Sequence, residues 1–165
     1  MSFFGEVQIL PLSSLNELDR LHKKVIGGNS FDELSNYISS VGEDLDCDYS
    51  GSVIFDLFNY LKIKKKIDLE KNEMSGFIMD FLDSIEDGIA VYSLFSAADK
   101  GRFLNSLNPD HYNEAEFQRY IDEEYKAFKG DYKGYGAYMK DTLVFIHENL
   151  NKLDDSHLLF IGVFY

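Results

Sequence analysis

Apolar and polar positions change their spacing several times along the chain, and each change predicts an element. Residues 2–10 alternate loosely, with Phe4, Val7 and Ile9 set among Glu6 and Gln8, and reach Pro11, which has no amide hydrogen for a ladder; this predicts a first strand. Leu15, Leu18, Leu21 and Val25 then recur at helical spacing behind the capping pair Ser14 and Glu17, and Gly27-Gly28 ends a helix over about 14–26. The pair Ser30 and Glu33 repeats the signal for a helix carrying Phe31, Leu34, Tyr37, Ile38 and Val41 and ending at Gly42. Residues 43–50 read as an acidic loop. Val53, Ile54, Leu57, Phe58 and Leu61 predict a third helix with one buried side, and Lys62 and Lys64 to Lys66 suit the negative end of its dipole.

A helix is expected over 67–87, where Leu69, Met74, Phe77, Ile78, Phe81, Leu82 and Ile85 share a face. The strand formers of 89–95 predict a strand, followed by Ser96 and Asp99 capping a helix through Leu107. Pro109 opens another, with Tyr112, Phe117, Tyr120, Ile121, Tyr125 and Phe128 on one side over 110–128. A glycine-rich loop at 130–136 leads to a long amphipathic helix over 134–153 and then to residues 156–165, which are apolar on both alternating faces. Such a run is a strand covered on both sides, at the middle of a sheet, with the preceding helix folded back over it. With no repeat, low-complexity tract or linker, the expectation is a single α+β domain over 1–165, mainly helical, whose small central sheet contains the N- and C-terminal strands as neighbours.

Composition narrows the class. An apolar fraction of 45%, with 14 Phe and 11 Tyr, excludes a disordered tail. The single cysteine, Cys47, has no partner for an internal bridge, in keeping with a reducing compartment. Glu6 stands where an export signal needs a cation, and no apolar run approaches the roughly 20 residues that cross a bilayer, so a soluble cytoplasmic protein is expected. The formal charge of −13 repels nucleic acid and anionic lipid and favours a basic partner.

Chemistry-bearing groups are sparse. His22, His111, His147 and His157 occur singly, without the spacing of a zinc site. Cys47 lies between Asp46 and Asp48, carboxylates that raise a thiol pKa and make it inert. Asp46 to Gly51 resembles the start of a calcium loop, but Leu57 holds the position of the bidentate glutamate, so Asp46 or Asp48 is read as a helix cap. No catalytic residue, cofactor site or metal site is expected. Lys62 to Lys66 reads as a solvated helix end. The acidic groups fall into Glu43, Asp44, Asp46 and Asp48 in a loop, Asp80, Asp83, Glu86 and Asp87 on one helix, and Glu114, Glu116, Asp122, Glu123 and Glu124 on another.

The Leu45-Asp46-Cys47-Asp48 motif followed by an apolar helix, the Leu94-Phe95-Ser96-Ala97-Ala98-Asp99 entry into the next helix, the long acidic helices and the terminal apolar strand together resemble the YfbM-like family of uncharacterised bacterial cytosolic proteins. Tyr49, Ser50 and Gly51 stand where that family usually has Lys and Trp. The resemblance implies a fold and transfers no catalytic residue. In style, a small, acidic, tyrosine-rich chain without catalytic motifs also resembles immunity proteins of bacterial contact-dependent or polymorphic toxin systems. That resemblance implies a non-enzymatic protein that blocks the active site of a cognate toxin, a basic nuclease domain, through an acidic, Tyr-rich surface. Glu114, Glu116, Asp122, Glu123 and Glu124 are its first expected contacts, and Asp80, Asp83, Glu86 and Asp87 the second. The alternative is a YfbM-like cytosolic protein that binds a small ligand.

Overall fold

The computed structural model describes residues 4–26, 32–47, 51–70, 89–128 and 130–164. Among them, strands β1 (Phe4–Pro11), β2 (Glu43–Asp44), β3 (Ile89–Phe95) and β4 (His157–Phe164) form an antiparallel sheet in the order β2-β1-β4-β3. The strands nearest the two ends of the chain are therefore neighbours, paired from Phe4 with Phe164 to Pro11 with His157. The helices are α1 (Leu15–Ile26), α2 (Asp32–Val41), α3 (Gly51–Tyr60), α4 (Lys100–Phe103), α5 (Glu114–Glu124) and α6 (Tyr135–Lys152), giving the expected mainly helical α+β fold. No helix of the described residues is long and apolar enough to cross a membrane.

Strand β4 is apolar on both faces because both are covered. Leu158 and Phe160 join Leu10 and Leu94 under Leu18 and Leu21 of α1 and Leu34 and Ile38 of α2. Leu159, Ile161 and Val163 face the other way, into a larger core shared with Val7, Phe95 and side chains of α3, α5 and α6. Burying each large apolar side chain contributes about 1.5–3 kcal/mol, so the sheet is stabilised from both sides. Helix α3 lies nearest the sheet, in contact with β1 and β4, while the long α6 packs on α3 and α5. That position explains why α3 is buried around most of its circumference, where the spacing predicted one buried side. Gly51 permits the approach: a Cβ there would sit 2.5 Å from the Phe4 carbonyl carbon and 2.6 Å from its oxygen.

Several boundaries differ from expectation, each for a local reason. Glu43 and Asp44 form a short strand, because the outer edge of β1 at Gln8 and Ile9 pairs with whatever extended backbone passes it. Ile67 to Glu70 are not helical: α3 widens into a π turn over Leu61–Lys65 and stops at Lys66, which adopts the left-handed conformation at φ 59°. The rest of the helix expected over 67–87 lies outside the described residues. The segment after Ser96 is a 3-10 turn, Ala97–Asp99, then one α-helical turn, with the Asp99 carboxylate accepting from the Ser96 amide at 2.9 Å.

Pro109 opens only a 3-10 turn, Pro109–His111, since Tyr112 and Asn113 are extended; Asn113 caps α5 by accepting from the Glu116 amide at 2.9 Å. The break lets the Tyr112 ring stack on Phe117 with centroids 5.8 Å apart and its hydroxyl donate to the Ser106 carbonyl at 2.6 Å. Asp46, one of the two expected caps of α3, is exposed, and Asp48 lies outside the described residues.

Lys66 makes a small, checkable prediction. A left-handed residue with a Cβ costs about 1–2 kcal/mol, so Lys66→Gly is expected to raise the unfolding free energy by up to about 1 kcal/mol after glycine's own entropy is counted. A denaturant titration measures it.

Candidate functional site

The π turn and α5 face each other across a cleft of about 190 Å³ lined by Tyr60, Lys64, Glu116, Arg119, Tyr120 and Glu123. A π turn is rare and occurs often at functional sites, because the extra residue re-aims the side chains that follow. Here it aims lysines at a helix of opposite charge. Lys65 Nζ donates to Glu116 Oε1 at 2.5 Å and lies 5.8 Å from the Tyr60 ring centroid and 5.4 Å from that of Tyr112. Lys64 reaches Glu123 at a looser 3.5 Å and sits 5.8 Å from the Tyr120 ring centroid. Lys62 binds Glu70 at 2.7 Å. Lys64 and Lys65 thus tie the turn to α5, while Lys62, Lys64 and Lys66 are exposed as expected of a solvated helix end.

Electrostatics in the cleft follow from burial. Desolvation is the largest influence on Glu116 and works to raise its pKa, but hydrogen bonding from Lys65 and the nearby Tyr60 hydroxyl outweighs it and holds the carboxylate below its ordinary range. The buried Tyr60 Oη faces that carboxylate. Burial, then the Glu116 charge, keeps its proton on. Burial with Glu124 and Asp56 likewise pushes Tyr120 up to about 12.

Behind the cleft lies a second polar group. Asp56, on the buried side of α3, accepts from Tyr125 Oη at 2.8 Å and Tyr135 Oη at 3.1 Å, joining α3, the end of α5 and the start of α6. Desolvation raises its pKa despite the two hydroxyls, and Glu124 adds to the shift. Tyr132 stacks on Tyr125 with centroids 4.7 Å apart.

Among the expected partner contacts, Glu114, Asp122, Glu123 and Glu124 are exposed on α5, and Glu116 is half-buried beside Lys65. Asp122 accepts from Gln118 Nε2 at 2.8 Å. Asp80, Asp83, Glu86 and Asp87 lie outside the described residues. Among the tyrosines whose burial is described, Tyr60, Tyr112 and Tyr120 are buried, Tyr37, Tyr125, Tyr132 and Tyr135 half-buried, and Tyr138 is 54% exposed. Tyr125, Tyr132, Tyr135 and Tyr138 thus keep part of their rings at the surface, and Tyr125 and Tyr135 turn their hydroxyls inward to Asp56.

No group of three or more His, Cys, Asp or Glu among the described residues could hold a metal ion. His157 Nδ1 lies 2.7 Å from Asp154 Oδ1 in an exposed turn, His111 is exposed, and His22 is buried. The groups missed by sequence reading are Asp56, Tyr60, Arg119 and Tyr120; the one signal for them was a lone carboxylate, Asp56, inside the apolar run 53–61.

The chain matches no family model, no curated protein and no solved structure.

Proposed function

We propose that the protein is a cytoplasmic immunity factor that binds a basic toxin domain and blocks its active site, without turnover of its own. The observation that supports this reading is the state of the acidic residues on α5. Glu116 is taken up by Lys65, but Glu114, Asp122 and Glu124 are exposed and make no ion pair with described residues, in a chain of charge −13. Exposed unpaired carboxylates on one rigid helix offer a basic surface complementary charge at little desolvation cost. Asp80, Asp83, Glu86 and Asp87 supply a second acidic segment, read from the sequence alone.

The test is a pull-down with the product of the neighbouring gene, followed by binding kinetics. Raising salt is expected to slow association more than it speeds dissociation. Asp122→Lys combined with Glu124→Lys is expected to weaken the complex by several kcal/mol while the fold survives, both side chains being exposed. An association rate indifferent to salt and to charge reversal would leave the acidic helix with a solubility role only.

A further inference from the structure

The cleft between the π turn and α5 has its acceptors committed and its donors to spare, and we propose that it binds a small oxyanion: a carboxylate or phosphate group carried by a small molecule. Glu116 is occupied by Lys65 and Glu123 by Lys64. On the donor side, the Arg119 guanidinium makes no hydrogen bond or ion pair with any described residue, although it lines the cleft between those two glutamates in sequence. Its planar fork of N–H groups matches an oxyanion in bidentate fashion. The Tyr120 hydroxyl also lines the cleft and makes no hydrogen bond with the described residues, while the buried Tyr60 Oη is turned towards Glu116. Both phenols stay protonated at neutral pH and so remain donors.

Charge points the same way. Lys64 and Arg119 balance Glu116 and Glu123 in the lining, and Lys65 beside them pairs with Glu116, so the cleft is less acidic than the chain of −13 that carries it. A cationic ligand would find Glu116 already held by Lys65 and would have to displace Lys64 from Glu123. The Lys64 ion pair, at 3.5 Å with both side chains exposed, is weak enough for the ammonium to turn towards an incoming anion. At about 190 Å³ the cleft is smaller than the roughly 300–1,000 Å³ of pockets for drug-sized ligands, so it takes a group or a very small molecule. The inference does not depend on toxin binding, and neither result decides the other.

The experiment follows Tyr60 and Tyr120 ring resonances and the Arg119 Nε–H resonance by NMR. Sodium phosphate or sodium acetate is added to the full chain, with sodium chloride adjusted to hold ionic strength constant. Saturable shifts at these groups are expected with at least one salt, and the two arms separate phosphate from carboxylate as the preferred chemistry. Arg119→Gln, at an exposed site, is expected to weaken binding about tenfold or more, and Tyr120→Phe to weaken it severalfold, while Lys152→Gln leaves it unchanged. Shifts that grow without saturating in both salts would overturn the proposal. So would a saturation midpoint that Arg119→Gln does not move.

Discussion

Asp56→Ala is expected to lower the unfolding free energy by about 2–4 kcal/mol, because it leaves two inward tyrosine hydroxyls, those of Tyr125 and Tyr135, without their acceptor. Asp56→Asn keeps an acceptor in place and removes a buried charge, so its cost at neutral pH is expected to stay within about 1 kcal/mol. The pH dependence has a definite sign. Burial, opposed by the two tyrosines, raises the folded-state pKa of Asp56 above the unfolded value of about 3.9. Between those two values the native state binds the proton and the unfolded state does not. Stability from this group is therefore fully present below the unfolded value and lost as pH rises through the folded one. Wild-type stability relative to Asp56→Asn is expected to increase on acidification from neutral pH and to level off at the ordinary aspartate range. Chemical denaturation of both proteins across pH measures the difference, and a flat difference would place Asp56 in a solvated environment.

Gly136→Ala is the second large effect. A Cβ at this position would lie 2.3 Å from the Glu114 carbonyl oxygen and 2.7 Å from the Gln118 amide nitrogen, both backbone atoms of α5. Neither can turn aside as a flexible side chain would, so α5 and α6 must separate. The separation also strains the hydrogen bond from the Gly136 amide to Gln118 Oε1 at 3.1 Å. Overpacking of this kind costs about 1–3 kcal/mol and sometimes more, against a gain of about 1 kcal/mol in helix propensity. Gly101→Ala is the matched control. It lies in α4 with nothing within 4 Å of the added methyl, so only the propensity gain remains and the protein is expected to become slightly more stable. Opposite signs for the two substitutions in thermal unfolding would establish close helix contact as the cause.

How much could be read from the chain depended on whether a feature was local. The double-faced apolar run at β4 announced its own burial, and the Ser96 and Asp99 pair announced a helical start, because both signals lie within a few residues. Strand β2 could not be read that way: two acidic residues have no strand propensity, and β1 draws them into the sheet from more than thirty residues away in sequence. The helix expected over 110–128 loses its first turns where Tyr112 is extended and its ring stacks on Phe117, a contact that only the folded arrangement reveals. Lys65 illustrates the candidate site. In sequence it is one of several lysines at a helix end, and only the π turn distinguishes the one that meets Glu116. Arg119 and Tyr120 gave no signal at all, since an arginine and a tyrosine on an amphipathic helix are ordinary until the facing element is known.

The pairing of β1 with β4 also sets an order of events during synthesis. Helices α1 and α2 leave the ribosome early, but the surface they cover includes Leu158 and Phe160, which are made more than a hundred residues later. Until then β1 has no central neighbour, and its apolar side chains wait with those of α3 as exposed, adhesive surface. Contacts between such distant parts of a chain form slowly, because a long loop must close before they give any return. The nascent segment is thus expected to stay a chaperone client until β4 is made, and to acquire its sheet in one step when β4 slides between β1 and β3.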